Sequence, residues 1–205
     1  MPEPTGVILA GGRASRLGGG PKGLLEVGGV RMLDRVVAAM VEAFGAPPLL
    51  IANAPDAADW HPGLRVVADL VADAGALGGI HAALSAAAGP VICAGWDMPF
   101  VPAGLLRLLA GRLPGFDAVL PASPGPRGME PLCAGYGPTC LGPVEAAIAR
   151  QDFRAVGFHA DIRVGIVERA AIEEFGDPAR LFFNVNSPAD LERANRAALF
   201  PRPGE

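Results

Sequence analysis

An open α/β sheet is the architecture that this sequence predicts, and three observations predict it. Short apolar runs alternate with segments of helical period through roughly the first 120 residues. The first run, Thr5–Ala10, is short, β-branched and apolar, of the kind covered on both faces in a parallel sheet. The runs end in Gly, Asn or Asp, which places polar groups at the carboxyl ends of the strands, where open α/β sheets bind ligands.

The elements follow in order. Thr5–Ala10 (T-G-V-I-L-A) reads as the first strand and breaks at glycines. Met32, Leu33, Val36, Val37, Met40, Val41 and Phe44 recur at helical spacing, with Asp34, Arg35 and Glu42 on the other face, so an amphipathic helix covers the sheet. Pro48–Asn53 is a second strand and Leu64–Ala68 a third, ending at Asp69; Ile80, Ala83, Leu84 and Ala87 mark the next helix. Pro90–Trp96 is a fourth strand, delivering Asp97 to its end, and a Leu-rich helix follows around Ala103–Gly111. Alternation of this kind, under the right-handed crossover rule, gives the open sheet.

Beyond this point the pattern is less regular. Asp117–Pro121, Pro131–Tyr136, Ile162–Glu168 and Phe182–Val185 read as strands, with helices near Pro143–Arg150 and from Ser187 onward. The last helix has a marked start: Ser187 at the N-cap, Pro188 at the first helical position and Asp190 where a capping-box carboxylate sits. Pro124–Gly128 reads as a mobile loop between strands. No repeat and no long linker interrupts the chain, so one domain over residues 1–205 is expected.

Composition narrows the function. A net charge of -4, with 17 Lys and Arg scattered singly, leaves no basic stripe for nucleic acid or anionic lipid. No apolar run approaches a membrane span, and the N-terminus lacks the positive flank of a signal peptide. Cys93, Cys133 and Cys140 are odd in number and show no metal-ligand spacing, which fits a reducing cytoplasm.

The segment Leu9-Ala-Gly-Gly-Arg-Ala-Ser-Arg-Leu-Gly-Gly-Gly-Pro-Lys22 carries the chemistry. Gly18, Gly20 and Gly23 spell a dinucleotide-binding pattern, but that pattern needs its first glycine directly after the strand and its last at a helix start. The Walker A pattern fails too, because Gly23 follows Lys22 where a magnesium-binding hydroxyl is required. What remains is a loop whose backbone N–H groups converge on phosphate oxygens while Arg13, Arg16 and Lys22 neutralise charge. On the glycines alone, a Gly-rich surface turn with solvated cations stands beside that reading.

The order of residues decides between them. L-A-G-G-x-x-S-R-L-G followed by P-K-G-L-L resembles the signature loop of the nucleotidyltransferases, most closely the MobA-like molybdenum cofactor guanylyltransferases. Leu17 stands where methionine is usual, and Pro21 where an aspartate commonly precedes the lysine. Asn53 matches the asparagine that helps bind the guanine nucleotide in that family. Asp69 with Gly75-Ala-Leu-Gly-Gly79 resembles the aspartate plus G-P-L-A-G stretch, with Ala76 and Gly78 differing. Trp96-Asp-Met-Pro-Phe100 resembles C-D-x-P-F, with Trp96 replacing the cysteine and Asp97 matching the magnesium-binding aspartate. Glu130–Ala134 and Phe183–Pro188 resemble the family's later signatures.

The resemblance implies a three-layer α/β/α sandwich, Rossmann-like and mostly parallel, as in the nucleotide-diphospho-sugar transferases. Residues 1–120 form the nucleotide-binding half and 121–205 the acceptor-side half. It implies transfer of GMP from GTP to molybdopterin, with transient contact with molybdoenzyme maturation proteins. Arg16, Lys22 and Asp97 are the expected catalytic residues, Asp97 also holding Mg2+; Leu9, Ala10, Gly11, Gly12, Lys22, Asn53, Asp69 and Asp97 are the expected nucleotide site. CTP as donor, another phosphate acceptor, or a non-catalytic nucleotide-binding module of this fold are the alternatives.

Blander roles stand beside several of these residues. Asp97 and Asp69 also suit the capping of a turn, and Asn53 suits turn geometry before Ala-Pro. Asn184 and Asn186 also serve to hydrogen-bond the loop ahead of Ser187. Trp96 reads as a core residue, His81 as structural, and Cys93 as a small core residue.

Overall fold

The computed structural model describes residues 3–11 and 20–199. In chain order the strands and helices are β1 (Thr5–Leu9), β2 (Glu26–Val27), β3 (Val30–Arg31), α1 (Met32–Phe44), β4 (Leu49–Ile51), α2 (Ala57–Trp60), β5 (Arg65–Val67), α3 (Gly75–Ala86), β6 (Val91–Gly95), α4 (Ala103–Arg112), β7 (Ala118–Pro121), β8 (Ala134–Tyr136), α5 (Leu141–Ala149), β9 (Val164–Val167), α6 (Arg169–Glu173), α7 (Pro178–Leu181) and α8 (Pro188–Leu199). Short 3-10 turns at Lys22–Leu24, Leu113–Gly115, Pro138–Cys140 and His159–Asp161 complete the set.

One seven-stranded sheet runs in the order β5-β4-β1-β6-β8-β7-β9. β1 lies between β4 and β6, parallel to both, with Val7 opposite Leu49 on one side and Cys93 on the other. Only β8 runs against its neighbours. Successive side chains of a strand face opposite ways, and the core divides accordingly. Ile8, Leu50 and Ile92 pack with Leu33, Val36 and Met40 of α1 and Leu105 and Leu109 of α4. Val7, Leu9 and Cys93 pack with Leu77 and Ile80 of α3 and Val144 and Ala147 of α5. The result is the expected three-layer sandwich. A Cβ on Gly6 would lie 3.1 Å from Met40 Sδ, so this glycine lets α1 close onto the sheet.

The expected strands and helices of the first 120 residues are present with small shifts of boundary. Two differences have physical reasons. Leu24–Gly28 leads into the β2–β3 hairpin, an element with too few residues to show periodicity; Gly28 and Gly29, at φ +61° and +77°, make its two-residue turn. Phe182–Val185, expected as a strand, has no ladder partner among the described residues: Phe182 is the turn that ends α7 and irregular chain follows it. Its Phe183 and Val185 instead join Val27, Met32 and Ala194 in a small third cluster that seats α8. Pro124–Gly128, expected as a loop between strands, does connect β7 to β8, and within it the Ser123 and Gly128 amides donate to the Gly128 and Gly125 carbonyls at 3.0 and 2.9 Å.

The start of α8 follows its sequence. The Asp190 amide donates to Ser187 Oγ at 3.2 Å, while the Asp190 carboxylate accepts from the Ser187 hydroxyl at 2.7 Å and the Asn186 amide at 3.1 Å.

Cys93, Cys133 and Cys140 are all buried, and burial pushes the Cys93 and Cys140 thiols up to about 12 and Cys133 higher still. Because the thiolate is the reactive form, all three should resist a thiol-specific reagent in the native protein and react together on unfolding; rapid native modification of Cys93 or Cys133 would contradict the packing described. Asp117 accepts from the Arg163 amide and guanidinium at 2.9 and 3.2 Å and from the Thr139 hydroxyl at 2.8 Å, which lowers its carboxyl to about 2. A depressed carboxylate stabilises the fold above its ordinary pKa and loses that contribution as pH falls through the folded value. Acid denaturation should therefore be steeper for the native chain than for Asp117→Asn between about pH 5 and 2; identical acid limbs would exclude this anchor.

Candidate active site

The carboxyl ends of β1, β4, β5 and β6 form one rim, and the polar residues expected there gather in two groups. The first centres on Lys22. Pro21, at φ -66°, enters the Lys22–Leu24 turn with the angle its ring imposes, and its carbonyl accepts the Leu24 amide at 3.0 Å. Pro21 thus shapes the turn that begins at Lys22.

Lys22 is 7% exposed and Asp97 8% exposed. The Lys22 ammonium donates to Asp97 Oδ2 at 2.5 Å and to Asn186 Oδ1 at 2.9 Å. Asp97 sits in the turn after β6, closed by the Met98 amide on the Gly95 carbonyl at 3.2 Å. It is held from both sides, since the Trp96 amide donates to the Leu9 carbonyl at 3.2 Å and the Val185 amide to the Asp97 carbonyl at 3.1 Å. A Cβ on Gly95 would stand 2.8 Å from Asp97 Oδ1, so a glycine there keeps that oxygen clear.

The second group joins the ends of β4 and β5. Asn53 Nδ2 donates to Asp69 Oδ2, and the Asp69 amide donates to Asn53 Oδ1, both at 2.8 Å. Asn53 is exposed and Asp69 half-buried, so the pair presents polar atoms to solvent at the rim. The first turn of α3 closes over it: a Cβ on Gly78 would lie 3.4 Å from Asp69 Oδ2 and one on Gly79 would lie 4.0 Å from Oδ1. Leu9 and Ala10 are buried, and the Ala10 amide is spent on the Ile51 carbonyl at 2.9 Å; Gly11 is exposed. Gly12 and Arg16 lie outside the described residues.

Two residues of the site had no assigned role in the sequence. Asn186 was left between substrate and loop; its side chain turns out to bind Lys22 while its amide braces Asp190. Its place in the Asn184-Val-Asn186 signature was the available signal. Glu130 sits where the chain returns to the rim before β8, its amide on the Pro121 carbonyl at 3.1 Å and its Oε1 accepting the Leu132 amide at 3.1 Å. Burial raises its carboxyl above the usual range, with the nearby Asp97 charge adding to the effect and the Leu132 amide and Arg127 opposing it. His81 lies instead between α3 and α5, its Nε2 3.6 Å from Glu145 Oε1.

Comparison with known proteins gives the family and the fold. The family model described as the MobA-like NTP transferase domain matches residues 6–161. The chain belongs to that family. A probable molybdenum cofactor guanylyltransferase of Pelotomaculum thermopropionicum is 36% identical over 205 residues, covering 100% of this chain and 98% of the relative. The molybdenum cofactor guanylyltransferase of Desulfosudis oleivorans is 31% identical, covering 96% of each. Among solved structures, the molybdopterin-guanine dinucleotide biosynthesis protein A of Archaeoglobus fulgidus superposes with a TM-score of 0.79 at 26% identity, covering 95% of this chain and 98% of that one. The 2-C-methyl-D-erythritol 4-phosphate cytidylyltransferase of Thermus thermophilus, at TM-score 0.68 and 23% identity, shares the fold. No helix among the described residues is long and apolar enough to cross a membrane.

The ion pair has a measurable signature. Removing one partner of a buried pair leaves the other uncompensated, at a cost of about 3 kcal/mol. Lys22→Met should lower the unfolding free energy by about that amount in urea titration, and Lys22→Met with Asp97→Leu should recover most of it. Additive losses in the double variant would show that the two charges are not coupled.

Proposed function

We propose that this chain transfers GMP from GTP to the phosphate of molybdopterin, releasing pyrophosphate and forming the guanine dinucleotide cofactor. The observation that carries the reading is the Lys22, Asp97 and Asn186 cluster at the strand rim, in a chain similar over its whole length to guanylyltransferases. Residues 1–120 act as the nucleotide-binding half and 121–205 as the acceptor-side half of one domain.

Magnesium is the metal that suits the residues present. Asp97 offers one carboxylate with Oδ1 kept clear by Gly95, and no group of three His, Cys, Asp or Glu gathers among the described residues. One carboxylate completed by substrate phosphates and water is the usual magnesium donor set. When bound, the ion supplies Lewis-acid neutralisation of the phosphates.

The reaction forms a bond from an acceptor phosphate oxygen to the α-phosphorus as the bond from that phosphorus to the bridging oxygen breaks, and pyrophosphate leaves. A phosphate monoester is already an anion near neutral pH, so no strong protein base is required. Alignment and charge are the obstacles. Lys22 stabilises charge gathering on the β- and γ-phosphates, and Arg16 has the same role from its place in the loop sequence. The exposed Asn53 and Asp69 edge offers an acceptor and donor pattern to the base, while Leu9, Ala10, Gly11 and Gly12 bring main chain to the nucleotide. Three buried thiols suit a reducing cytoplasm.

Pyrophosphate release measured with molybdopterin, magnesium and each of GTP, CTP, ATP and UTP should be fastest with GTP; equal or faster turnover with CTP would remove the guanylyl assignment. Asp97→Asn, which keeps the shape of the side chain, should lower turnover by about 100-fold or more while the circular dichroism spectrum stays native. Unchanged turnover in this variant would exclude Asp97 from the chemistry.

A further inference from the structure

Trp96 stands directly before Asp97 in the chain, and the structure shows what its ring touches. Trp96 is 3% exposed and stacks on Trp60 of α2 with ring centroids 5.0 Å apart and planes inclined by 26°. Trp60 is itself fixed: its Nε1 donates to Asp56 Oδ2 at 3.0 Å, and its carbonyl accepts from Arg31 at 3.0 Å. On the Trp96 ring lies Gly23, the residue after Lys22. A Cβ at Gly23 would fall 2.3 Å from Trp96 Cε3 and 2.7 Å from Cδ2, far inside van der Waals contact. Leu24, next in the turn, packs on the same cluster.

We infer that the stacked Trp60 and Trp96 rings are a seat for the Lys22–Leu24 turn, making Trp96 a positioning residue for the lysine that meets the triphosphate. The contact with Gly23 is made by the face of the Trp96 ring, at Cε3 and Cδ2. A rigid buried ring sets the height of the Gly23 backbone, and that height sets where the Lys22 ammonium reaches. The backbone of Trp96 meanwhile carries Asp97, so one residue ties both members of the ion pair to β6. This role rests on the proposed reading of Lys22 as a triphosphate ligand; the contact itself does not.

The test has one arm without nucleotide and one with it. In Trp60→Phe, Trp96 is the remaining tryptophan of the chain's two, and adding Gly23→Ala should lift the turn and increase acrylamide quenching of its fluorescence. Unchanged quenching would overturn the seat whatever the protein binds. In calorimetric titration with GTP and magnesium, Gly23→Ala should raise the dissociation constant about tenfold, the worth of one charged contact. In a Trp96→Ala background the same substitution should change it by less than about twofold, because the clash is gone. Trp96→Phe, which keeps an aromatic face, should bind GTP like the native chain and covers the case in which Trp96→Ala fails to fold. Equal effects of Gly23→Ala in both backgrounds, or a loss of binding in Trp96→Phe as large as that in Trp96→Ala, would overturn the positioning role. A native chain that binds no GTP would instead overturn the functional reading, leaving the quenching arm to decide on the seat.

Discussion

A lysine ammonium out of water must be paired, and Lys22 meets that requirement with a carboxylate 75 residues away and an amide oxygen 164 residues away. Three segments distant in the chain therefore have to arrive together for the charge to be tolerated. The first is the turn after the glycine loop, the second is the turn after β6, and the third is the irregular stretch before α8. Much of the remaining structure at this rim serves to bring them there.

Each segment is held by contacts that do not involve the lysine. Pro21 and the seated Gly23 shape the first turn, and the Trp96 and Met98 amides shape the second. The third is tied by the Val185 amide to Asp97 and by the Asn186 amide to the cap of α8, while Phe183 and Val185 dock it on the β2–β3 hairpin. On the proposed reading, a cation and a carboxylate held in place before substrate arrives have less reorganisation left when phosphates bind. The small third cluster thus acts on the site: it keeps Asn186 within reach of Lys22.

The legibility of these parts varied for physical reasons. β1, β4, β6 and α1 were readable because burial on both faces, or on one stripe, leaves a periodic trace in residue type. The β2–β3 hairpin was not, since two residues per strand carry no period. Phe182–Val185 is apolar enough to look like a strand, but Phe183 and Val185 pack in the cluster under α8 and the backbone finds no ladder among the described residues. Asn53 and Asp69 fell at strand ends as read, yet their reciprocal hydrogen bonds depend on β4 and β5 being neighbours. Asn186 was ambiguous because asparagine before a capped helix has local partners as well as distant ones.

Residue order alone determined the alternation of strands and helices, the strand-end positions of Asn53, Asp69 and Asp97, and the kinship of the glycine loop, because burial, turn chemistry and spacing are written locally in the chain. Only the tertiary structure decided that Lys22 pairs with both Asp97 and Asn186, that Gly23 rests on a tryptophan stack, and that β8 enters the sheet antiparallel. Those outcomes depend on which strand ends become neighbours and how closely two backbones approach.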